Sequence, residues 1–354
     1  MKKNKLYIFI PIIILFFIFS SASIFNSCKT VDDKKILIDK EDYIKPKVYE
    51  KEENINNDPI IEPGEEEISK ENLTREESEN KYTNLEEEEK ILFNFAALGD
   101  NRPADINLPQ PATFLSILKN IKEYNPDFVI NTGDIINGGT SDEKIIERQF
   151  IDYLEAVSIL NCDIYTSPGN HDSENDISIK YFKELINNSR DLYYYFKHEN
   201  IYFIILNAYE KGLWGKITGQ QLSWLENLLE RLKEKKVFIV IHPPVYSVMN
   251  PDCITDGSLH VALSDKENQD YLRYLFDEYK VDCVLSGHEH SFHKQQVRDT
   301  TYIITACSGA YPYFPKDQGG FYHFLIIEIK SNSWIYNVKD ADGNLVENEE
   351  IIFN

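Results

Sequence analysis

Short apolar runs recur along the chain from residue 91 onwards, and stretches with helical spacing separate most of them. A short apolar run bounded by glycine or polar residues is typical of a buried strand, whereas apolar residues three and four apart are typical of an amphipathic helix. The pattern predicts strands at 91–98, 127–134, 162–170, 193–196, 201–208, 237–244, 281–288, 301–309 and 321–329. It predicts helices at 110–123, 143–158, 176–187, 218–234 and 266–279. Strands that alternate with helices and then predominate favour stacked sheets covered by helices.

The helix with the clearest pattern is TGQQLSWLENLLERLKE at 218–234. Thr218 and Gln221 have the spacing of a capping box, in which each side chain hydrogen-bonds the backbone of the other. The helix also carries a leucine stripe with helical spacing, which predicts one buried face. The stripe consists of Leu222, Leu225, Leu229 and Leu232.

The first 28 residues have the layout of a secretion signal: three lysines, a long apolar run, and then small and polar residues. Cys28 stands where a lipoprotein signal places the cysteine that becomes acylated. In the alternative, Leu6 to Phe25 remains as a signal anchor, since ~1.5 Å per helical residue suffices to span a bilayer. Both interpretations predict an exported chain tethered to the membrane, in the periplasm or at the cell surface.

Residues 29–90 contain 21 acidic and 11 basic residues and few aromatic ones. High charge with low hydrophobicity predicts a disordered acidic tether. The composition changes abruptly at ILFNFAALGD (91–100), where the strand-like runs begin. We therefore expect three parts: a signal or anchor at 1–28, a tether at 29–90, and a single folded domain at 91–354.

The charge of the chain excludes some function classes. Its 59 acidic and 37 basic residues give 354 residues a net charge of −22, which argues against nucleic acid as a binding partner. An anionic phosphate substrate stays compatible with that charge, because metal ions reverse the field locally. The five cysteines lack C-x-x-C spacing, which argues against a zinc ribbon.

Five short polar blocks follow predicted strands: GDNR (99–102), GD (133–134), GNHD (169–172), HPP (242–244) and GHEH (287–290). Ligands in open sheets collect beyond the carboxyl ends of strands, and glycine there lets the backbone turn and bring the next side chain close. The blocks offer aspartate, asparagine and histidine donors without thiolate. That donor set suits Mn, Fe, Zn, Co or Ni.

These five blocks, in this order, resemble the calcineurin-like metallophosphoesterase superfamily, which includes purple acid phosphatases and bacterial phosphodiesterases. The resemblance covers roughly residues 92–330. It implies an α+β fold, a β-sandwich flanked by α-helices, and two divalent or trivalent metal ions. By position in the motifs, the implied ligands are Asp100 and His290 for the first metal, Asn170, His242 and His288 for the second, and Asp134 as the bridge between them.

The resemblance implies hydrolysis of phosphate mono- or diesters. In this two-metal mechanism, hydroxide attacks phosphorus in line. His171 is implied to lie beside the leaving group, outside the metal coordination, and to donate a proton to it. The competing hypothesis is a surface-tethered binding protein whose metallophosphoesterase site has degenerated.

Two positions depart from the family pattern. Most members have D-x-H in the first block, and this chain has Asp100-Asn101-Arg102. Purple acid phosphatases have a tyrosine three residues after the second aspartate, where this chain has Asn137. We expect Arg102 to contact the phosphate, since a guanidinium donates in a fork that fits phosphate oxygens. The alternative is that Arg102 forms a structural ion pair with a nearby carboxylate.

Three further residues receive a structural interpretation. Glu289 alternates away from His288 and His290, so it is expected to face the sheet or to support the site from behind. Cys283 and Cys307 lie in apolar runs and are expected to be small buried residues.

Overall fold

The computed structural model describes residues 90–187, 191–249 and 263–354. The predicted signal segment, including Cys28, and the predicted tether except Lys90 lie outside the described residues. In the part of the chain that is described, no helix is both long enough and apolar enough to cross a bilayer.

The described ranges contain twelve strands: β1 (Phe93–Leu98), β2 (Phe128–Asn131), β3 (Asp163–Thr166), β4 (Tyr194–His198), β5 (Ile201–Ile205), β6 (Lys236–Val240), β7 (Cys283–Ser286), β8 (Phe292–Val297), β9 (Thr300–Thr305), β10 (His323–Ile329), β11 (Ser333–Asp340) and β12 (Leu345–Ile352). They also contain five α-helices: α1 (Ala112–Tyr124), α2 (Glu143–Val157), α3 (Asp176–Tyr181), α4 (Gly219–Arg231) and α5 (Lys266–Glu278). A π-helical turn at Phe182–Ile186 continues α3, where the sequence predicted one unbroken helix.

The strands form two six-stranded sheets, in the orders β12-β11-β10-β1-β2-β3 and β4-β5-β6-β7-β9-β8. In the first sheet β1, β2 and β3 run parallel. In the second sheet β5, β6, β7 and β9 run parallel. The predicted α+β sandwich is confirmed. Because the parallel strands of each sheet are neighbours, their carboxyl ends place several loops in one region.

Aromatic rings fill the core that joins strands of the two sheets. Phe95 stacks on Phe128 with ring centres 5.0 Å apart and meets Phe203 edge to face at 5.3 Å. A second apolar cluster covers the other face of the first sheet with residues of α1 and α2, such as Phe114 and Phe150. Burial on both faces explains why the central strands are continuous apolar runs.

Three strands escaped the sequence prediction: β8, β11 and β12. Two of them are edge strands, β8 and β12, and both are rich in polar residues. In β12, Glu349 accepts from Lys294 and Glu350 accepts from Lys330. Charged side chains on an edge strand prevent pairing with other chains, and they also remove the apolar signal that predicts a strand.

The capping box predicted for α4 is wrong, although the buried leucine stripe is confirmed. Thr218 precedes the helix but makes no capping hydrogen bond through its side chain. Gln221 is instead buried and pairs with both backbone groups of Asn207. Its Oε1 accepts from the Asn207 N–H at 2.8 Å, and its Nε2 donates to the Asn207 carbonyl at 2.8 Å. The buried backbone groups of Asn207 need hydrogen-bond partners, and the Gln221 side chain supplies them. Gln221 is therefore not available for a capping box with Thr218.

Candidate metal centre

The five polar blocks all lie beyond the carboxyl ends of strands, as predicted. Asp100, Asp134 and Asn170 follow β1, β2 and β3 of the first sheet, whereas His242 and His288 follow β6 and β7 of the second. The site therefore forms where the two sheets present the ends of their parallel strands, and both sheets are needed to complete it.

The backbone adopts an uncommon conformation at three of the predicted ligands. Asp100, Asp134 and His288 have φ angles of 52°, 57° and 72°, in the left-handed region that non-glycine residues rarely occupy. Such strain persists only where the surroundings enforce it, and it concentrates at functional sites.

Glycines make the close approach of these loops possible. A Cβ atom on Gly169 would lie 2.1 Å from Asp134 Oδ1, and one on Gly287 would lie 2.7 Å from Asp100 Oδ2. Both distances are too short for a carbon and an oxygen that are not bonded. The glycines thus let neighbouring backbone segments pack against the two carboxylates.

Asp134 is buried, and its two oxygens have different neighbours. Its Oδ1 lies 3.5 Å from His242 Nε2, and its Oδ2 lies 3.6 Å from Arg102 Nε and 3.9 Å from His171 Nε2. Burial alone would raise the pKa of Asp134, but the charges of His242, His171 and Arg102 outweigh it and lower the pKa. Asp134 is therefore held as a carboxylate with oxygens available on two sides.

His242 and His288 form the most enclosed pair of donors. The Nδ1–H of His242 donates to the Thr132 carbonyl at 2.7 Å, which leaves its Nε2 as the electron-pair donor, and this atom lies 3.2 Å from His288 Nδ1. Burial and the neighbouring His242 lower the pKa of His288 well below its usual range. Burial acts in the same direction on His242, but Asp134 and Asp100 raise its pKa overall.

His290 and Asp100 form the other predicted ligand pair. The Nδ1–H of His290 donates to the Tyr311 carbonyl at 2.7 Å, so its Nε2 faces Asp100 Oδ1 at 3.3 Å. The second oxygen of Asp100 accepts from the His288 N–H at 2.9 Å. A backbone carbonyl therefore orients His290 as another orients His242, an arrangement typical of metal-binding histidines.

His171 lies at the rim of the site. Its Nδ1–H donates to the Asn137 carbonyl at 2.5 Å, which directs Nε2 towards Asp134. Its backbone N–H donates to Asp134 Oδ1 at 3.0 Å. The side chain is 29% exposed, so it remains open to a bound molecule.

Arg102 points into the site. Its side chain is 17% exposed, and its backbone N–H donates to the Asp134 carbonyl at 3.0 Å. Its Nε lies 3.6 Å from Asp134 Oδ2, which is the carboxylate contact of the alternative interpretation, and the contact with phosphate stays a prediction. Asn101 is not directed at a metal, since its amide hydrogen-bonds Gln110 and Asn131.

Asn137 stands where purple acid phosphatases have a tyrosine, and its side-chain amide is directed at the loop backbone. Its amide donates to the Pro103 carbonyl at 3.0 Å, and its own N–H donates to Gln149 at 2.8 Å. Asn137 therefore fixes the loop after β2, while its carbonyl orients His171.

The sequence analysis assigned no role to Asp172, which is fully buried and follows His171 at the end of the third block. Its carboxylate accepts four backbone N–H groups, at 2.8 to 3.3 Å. The donors are Asp134, Ile135, Ile136 and Gly169. Burial and the nearby Asp134 charge raise the pKa of Asp172 to about 7. Asp172 thus ties the loop that carries Asp134 to the loop that carries Asn170.

Glu289 supports the site from behind, as predicted. It is fully buried and accepts hydrogen bonds from the Ser247 hydroxyl and from the Val248 N–H at 2.7 Å. Burial raises the pKa of Glu289 to about 7. It fixes the chain that follows His242. Cys283 and Cys307 are buried, as predicted.

The donor set fits metal ions. Donor atoms of Asp134, His242 and His288 lie within 4.8 Å of one another. A nitrogen–nitrogen separation of 3.2 Å lets both imidazoles reach one ion at the usual distances of about 2.0–2.1 Å. Among the described residues, Asp100 Oδ1 and Asn170 Oδ1 are buried without a hydrogen-bond partner. A cation would satisfy both oxygens, since a buried polar atom without a partner is costly.

The family model described as calcineurin-like phosphoesterase matches residues 93–292, which is more than half of the chain. A "Probable glycerophosphodiester phosphodiesterase" of Arcobacter nitrofigilis is 32% identical over 131 residues, covering 36% of this chain and 45% of that protein. A 3′,5′-cyclic-nucleotide phosphodiesterase of Nostoc is 25% identical over 195 residues, covering 54% of this chain and 66% of that protein. The chain thus spans about half to two thirds of these relatives.

Among solved structures, a dimetal phosphatase from Danio rerio shares the fold, with a TM-score of 0.58 and 16% identity. The likeness covers 75% of this chain and all of that one. At this identity the likeness concerns the fold alone.

Proposed function

The chain belongs to the calcineurin-like phosphoesterase family, and from this premise we propose that it hydrolyses phosphate esters with two metal ions bound at the centre described above. Diesters are the class to expect first, because the two bacterial relatives are named as phosphodiesterases.

One observation carries the proposal: Asp134 is a buried carboxylate whose two oxygens face different neighbours, with histidine nitrogen at 3.5 Å from one of them. A carboxylate in that arrangement suits a bridge between two ions. The proposed ligands on its two sides are Asp100 and His290, and Asn170, His242 and His288. Bound metal ions there supply Lewis acidity to phosphoryl oxygens and lower the pKa of water.

Two side chains without a metal role complete the proposed chemistry. The proposed role of the Arg102 guanidinium, which lies beside Asp134, is to donate to phosphoryl oxygens and offset the charge that develops on them. His171, held through Nδ1 by the Asn137 carbonyl, presents Nε2 on the open side of the site. When protonated, that nitrogen donates its proton to the departing oxygen, a contribution of about 10²–10⁴ in rate.

We place the proposed activity outside the cytoplasm, on a membrane-tethered chain. The support is the sequence of residues 1–28, with its lysines, apolar run and Cys28, and the acidic composition of 29–90. A site held above a membrane by a charged spacer would act on soluble phosphoesters that reach the cell surface.

A substrate panel tests the proposal. The purified chain, supplied with Mn²⁺, is assayed on an aryl phosphomonoester, a glycerophosphodiester and a 3′,5′-cyclic nucleotide. We expect turnover of at least one diester above the rate for the monoester. Absence of turnover on all three, with any of the five candidate metals, would contradict the proposed function.

Arg102→Ala is expected to weaken binding of substrate and inorganic phosphate while metal content stays the same. The loss of one charge-assisted contact corresponds to about 1.5–3 kcal/mol, or roughly ten- to a hundredfold in kcat/KM. Arg102→Lys should recover part of that loss, because an ammonium cannot donate in a fork.

Arg102→His, which restores the usual D-x-H, is expected to tighten the first metal position. If Arg102→Ala lowers the free energy of unfolding but leaves kinetics and phosphate affinity unchanged, Arg102 is a structural ion-pair partner of Asp134 and does not contact phosphate.

Removal of the tether should leave the chemistry intact. A chain that begins at Leu85 retains every residue of the proposed site, so its kcat/KM on a soluble diester is expected to equal that of the full chain within about twofold. Circular dichroism shows whether the shortened chain is folded. A folded shortened chain without turnover would refute the tether interpretation of 29–90.

A further inference from the structure

The loop SGAYPYFP (308–315) forms one wall of the site, and hydrogen bonds fix it there. The Ser308 N–H donates to the Gly99 carbonyl at 3.0 Å, and the Ala310 N–H donates to the Asp100 carbonyl at 2.8 Å. The Tyr313 N–H donates to the His290 carbonyl at 3.0 Å. This aromatic wall is therefore attached to the first and last of the five motif blocks.

Tyr313 lies directly on a proposed metal ligand. Its ring stacks on the His290 imidazole with centres 4.0 Å apart and planes 14° apart. Its hydroxyl lies near Arg102, whose charge opposes the rise that burial causes in the pKa of that hydroxyl. The residue is nevertheless 48% exposed. One ring face thus covers His290, and the exposed remainder borders the place where substrate would lie. Tyr311, two residues earlier, is 79% exposed.

The stack of Tyr313 on His290 is not needed to orient that imidazole. The Tyr311 carbonyl already orients that imidazole through Nδ1. An aromatic ring held by a stack on one face, in a residue whose backbone N–H is bonded to the same histidine, is a preorganised surface. A second flat ring would stack on it without the cost of ordering a mobile side chain.

We propose that Tyr313, with Tyr311 beside it, stacks against a planar aromatic group in the alcohol part of the substrate, which makes nucleobase-bearing or aryl phosphoesters the preferred class. This proposal rests on the proposed phosphoesterase function. The phosphoryl group would occupy the centre between Arg102 and the proposed metal ligands, and the ring of the departing alcohol would lie over the aromatic wall.

The test compares ring-bearing with ring-free substrates in matched variants of the full chain. Tyr313→Leu removes the aromatic face while keeping an apolar side chain, and Tyr313→Phe keeps the face but removes the hydroxyl near Arg102. For each, kcat/KM relative to wild type is measured on a 3′,5′-cyclic nucleotide, bis(p-nitrophenyl) phosphate and a glycerophosphodiester, together with inhibition by a nucleoside monophosphate. Using ratios to wild type cancels the different reactivities of the leaving groups.

Stacking of a base on an aromatic side chain predicts that Tyr313→Leu lowers kcat/KM on ring-bearing esters by about five- to a hundredfold more than on the glycerophosphodiester. Inhibition by the nucleoside monophosphate should weaken in parallel, and Tyr313→Phe should retain most of the selectivity. A loss confined to the cyclic nucleotide or to the aryl ester identifies which ring the wall accepts.

Equal losses on all three esters would overturn the proposal, because Tyr313 would then act only through His290 and Arg102. No loss on any ester would overturn it too, because the ring would not touch substrate. If wild type hydrolyses none of the three, the proposed function itself fails, and that result is distinct from an equal loss in the variant.

Discussion

Asp134→Asn should abolish phosphoester turnover, by at least about a thousandfold, and lower metal content while the chain stays folded. The substitution keeps the size of the side chain but removes the negative charge that both proposed metal positions share. A thousandfold loss corresponds to about 4 kcal/mol, which is within the several kcal/mol that metal-ion catalysis supplies. Because nearby His242, His171 and Arg102 lower the pKa of Asp134, the wild-type group is charged throughout the neutral range.

The measurement is kcat/KM on a diester, with metal content by mass spectrometry and folding by circular dichroism. Asp105→Asn is the matched control, since Asp105 is exposed and lies outside the site. Full activity in a folded Asp134→Asn chain would eliminate the two-metal proposal.

Asp172→Ala should lower the free energy of unfolding by about 3–5 kcal/mol. This is the largest loss of stability that we expect from replacing one buried polar residue. The alanine leaves four buried N–H groups without their acceptor, and each unsatisfied group is costly. The loops carrying Asp134 and Asn170 should loosen together, so metal affinity should fall with stability.

Urea denaturation measures this effect, with the midpoint shifted and the slope unchanged. Asp172→Asn, which retains one acceptor oxygen of similar shape, should fall between alanine and wild type. The matched control is Asp105→Ala, which removes an exposed aspartate that accepts one backbone N–H at 2.9 Å. If the two alanine variants lose equal stability, Asp172 does not hold the two loops.

The part of the fold that sequence predicts well is the part built from buried parallel strands. Runs such as VFIV before His242 and CVLS before His288 are buried on both faces. The continuous apolar run in the sequence is therefore enough to predict each strand. The edge strands β8 and β12 mix charged and apolar residues, and their strand character depends on partners far away in the chain. That information is tertiary, which is why the apolar pattern missed them.

The residues of the candidate site also fall into two groups: those with a local sequence signal and those whose role depends on distant contacts. The positions of Asp100, Asp134 and His288 beyond strand ends were predictable, because each follows a glycine at the end of an apolar run. The left-handed φ angles of these three residues explain that local signal, and their role as ligands stays a prediction. Asp172 lies in the GNHD block, but its role depends on the backbone N–H groups of 134–136, which are 36 to 38 residues away. Tyr313 stacks on His290, 23 residues away, and no local pattern indicates that contact. For Gln221 the local spacing predicted a capping box that does not form. Its side chain instead hydrogen-bonds the backbone of Asn207, 14 residues away.

We propose that the residues around Asp134 bind metal ions and use them to hydrolyse a phosphoester. The most direct measurement removes metal from the full chain with a chelator and then follows diester turnover during stepwise addition of Mn²⁺. We expect no turnover in the chelated chain. On addition of Mn²⁺, turnover is expected to recover and to reach its maximum when two ions are bound per chain. Turnover that persists in the chelated chain, or a folded chain that binds the ions and phosphate without any turnover, would contradict it, and the second result would favour a binding protein with a degenerate site.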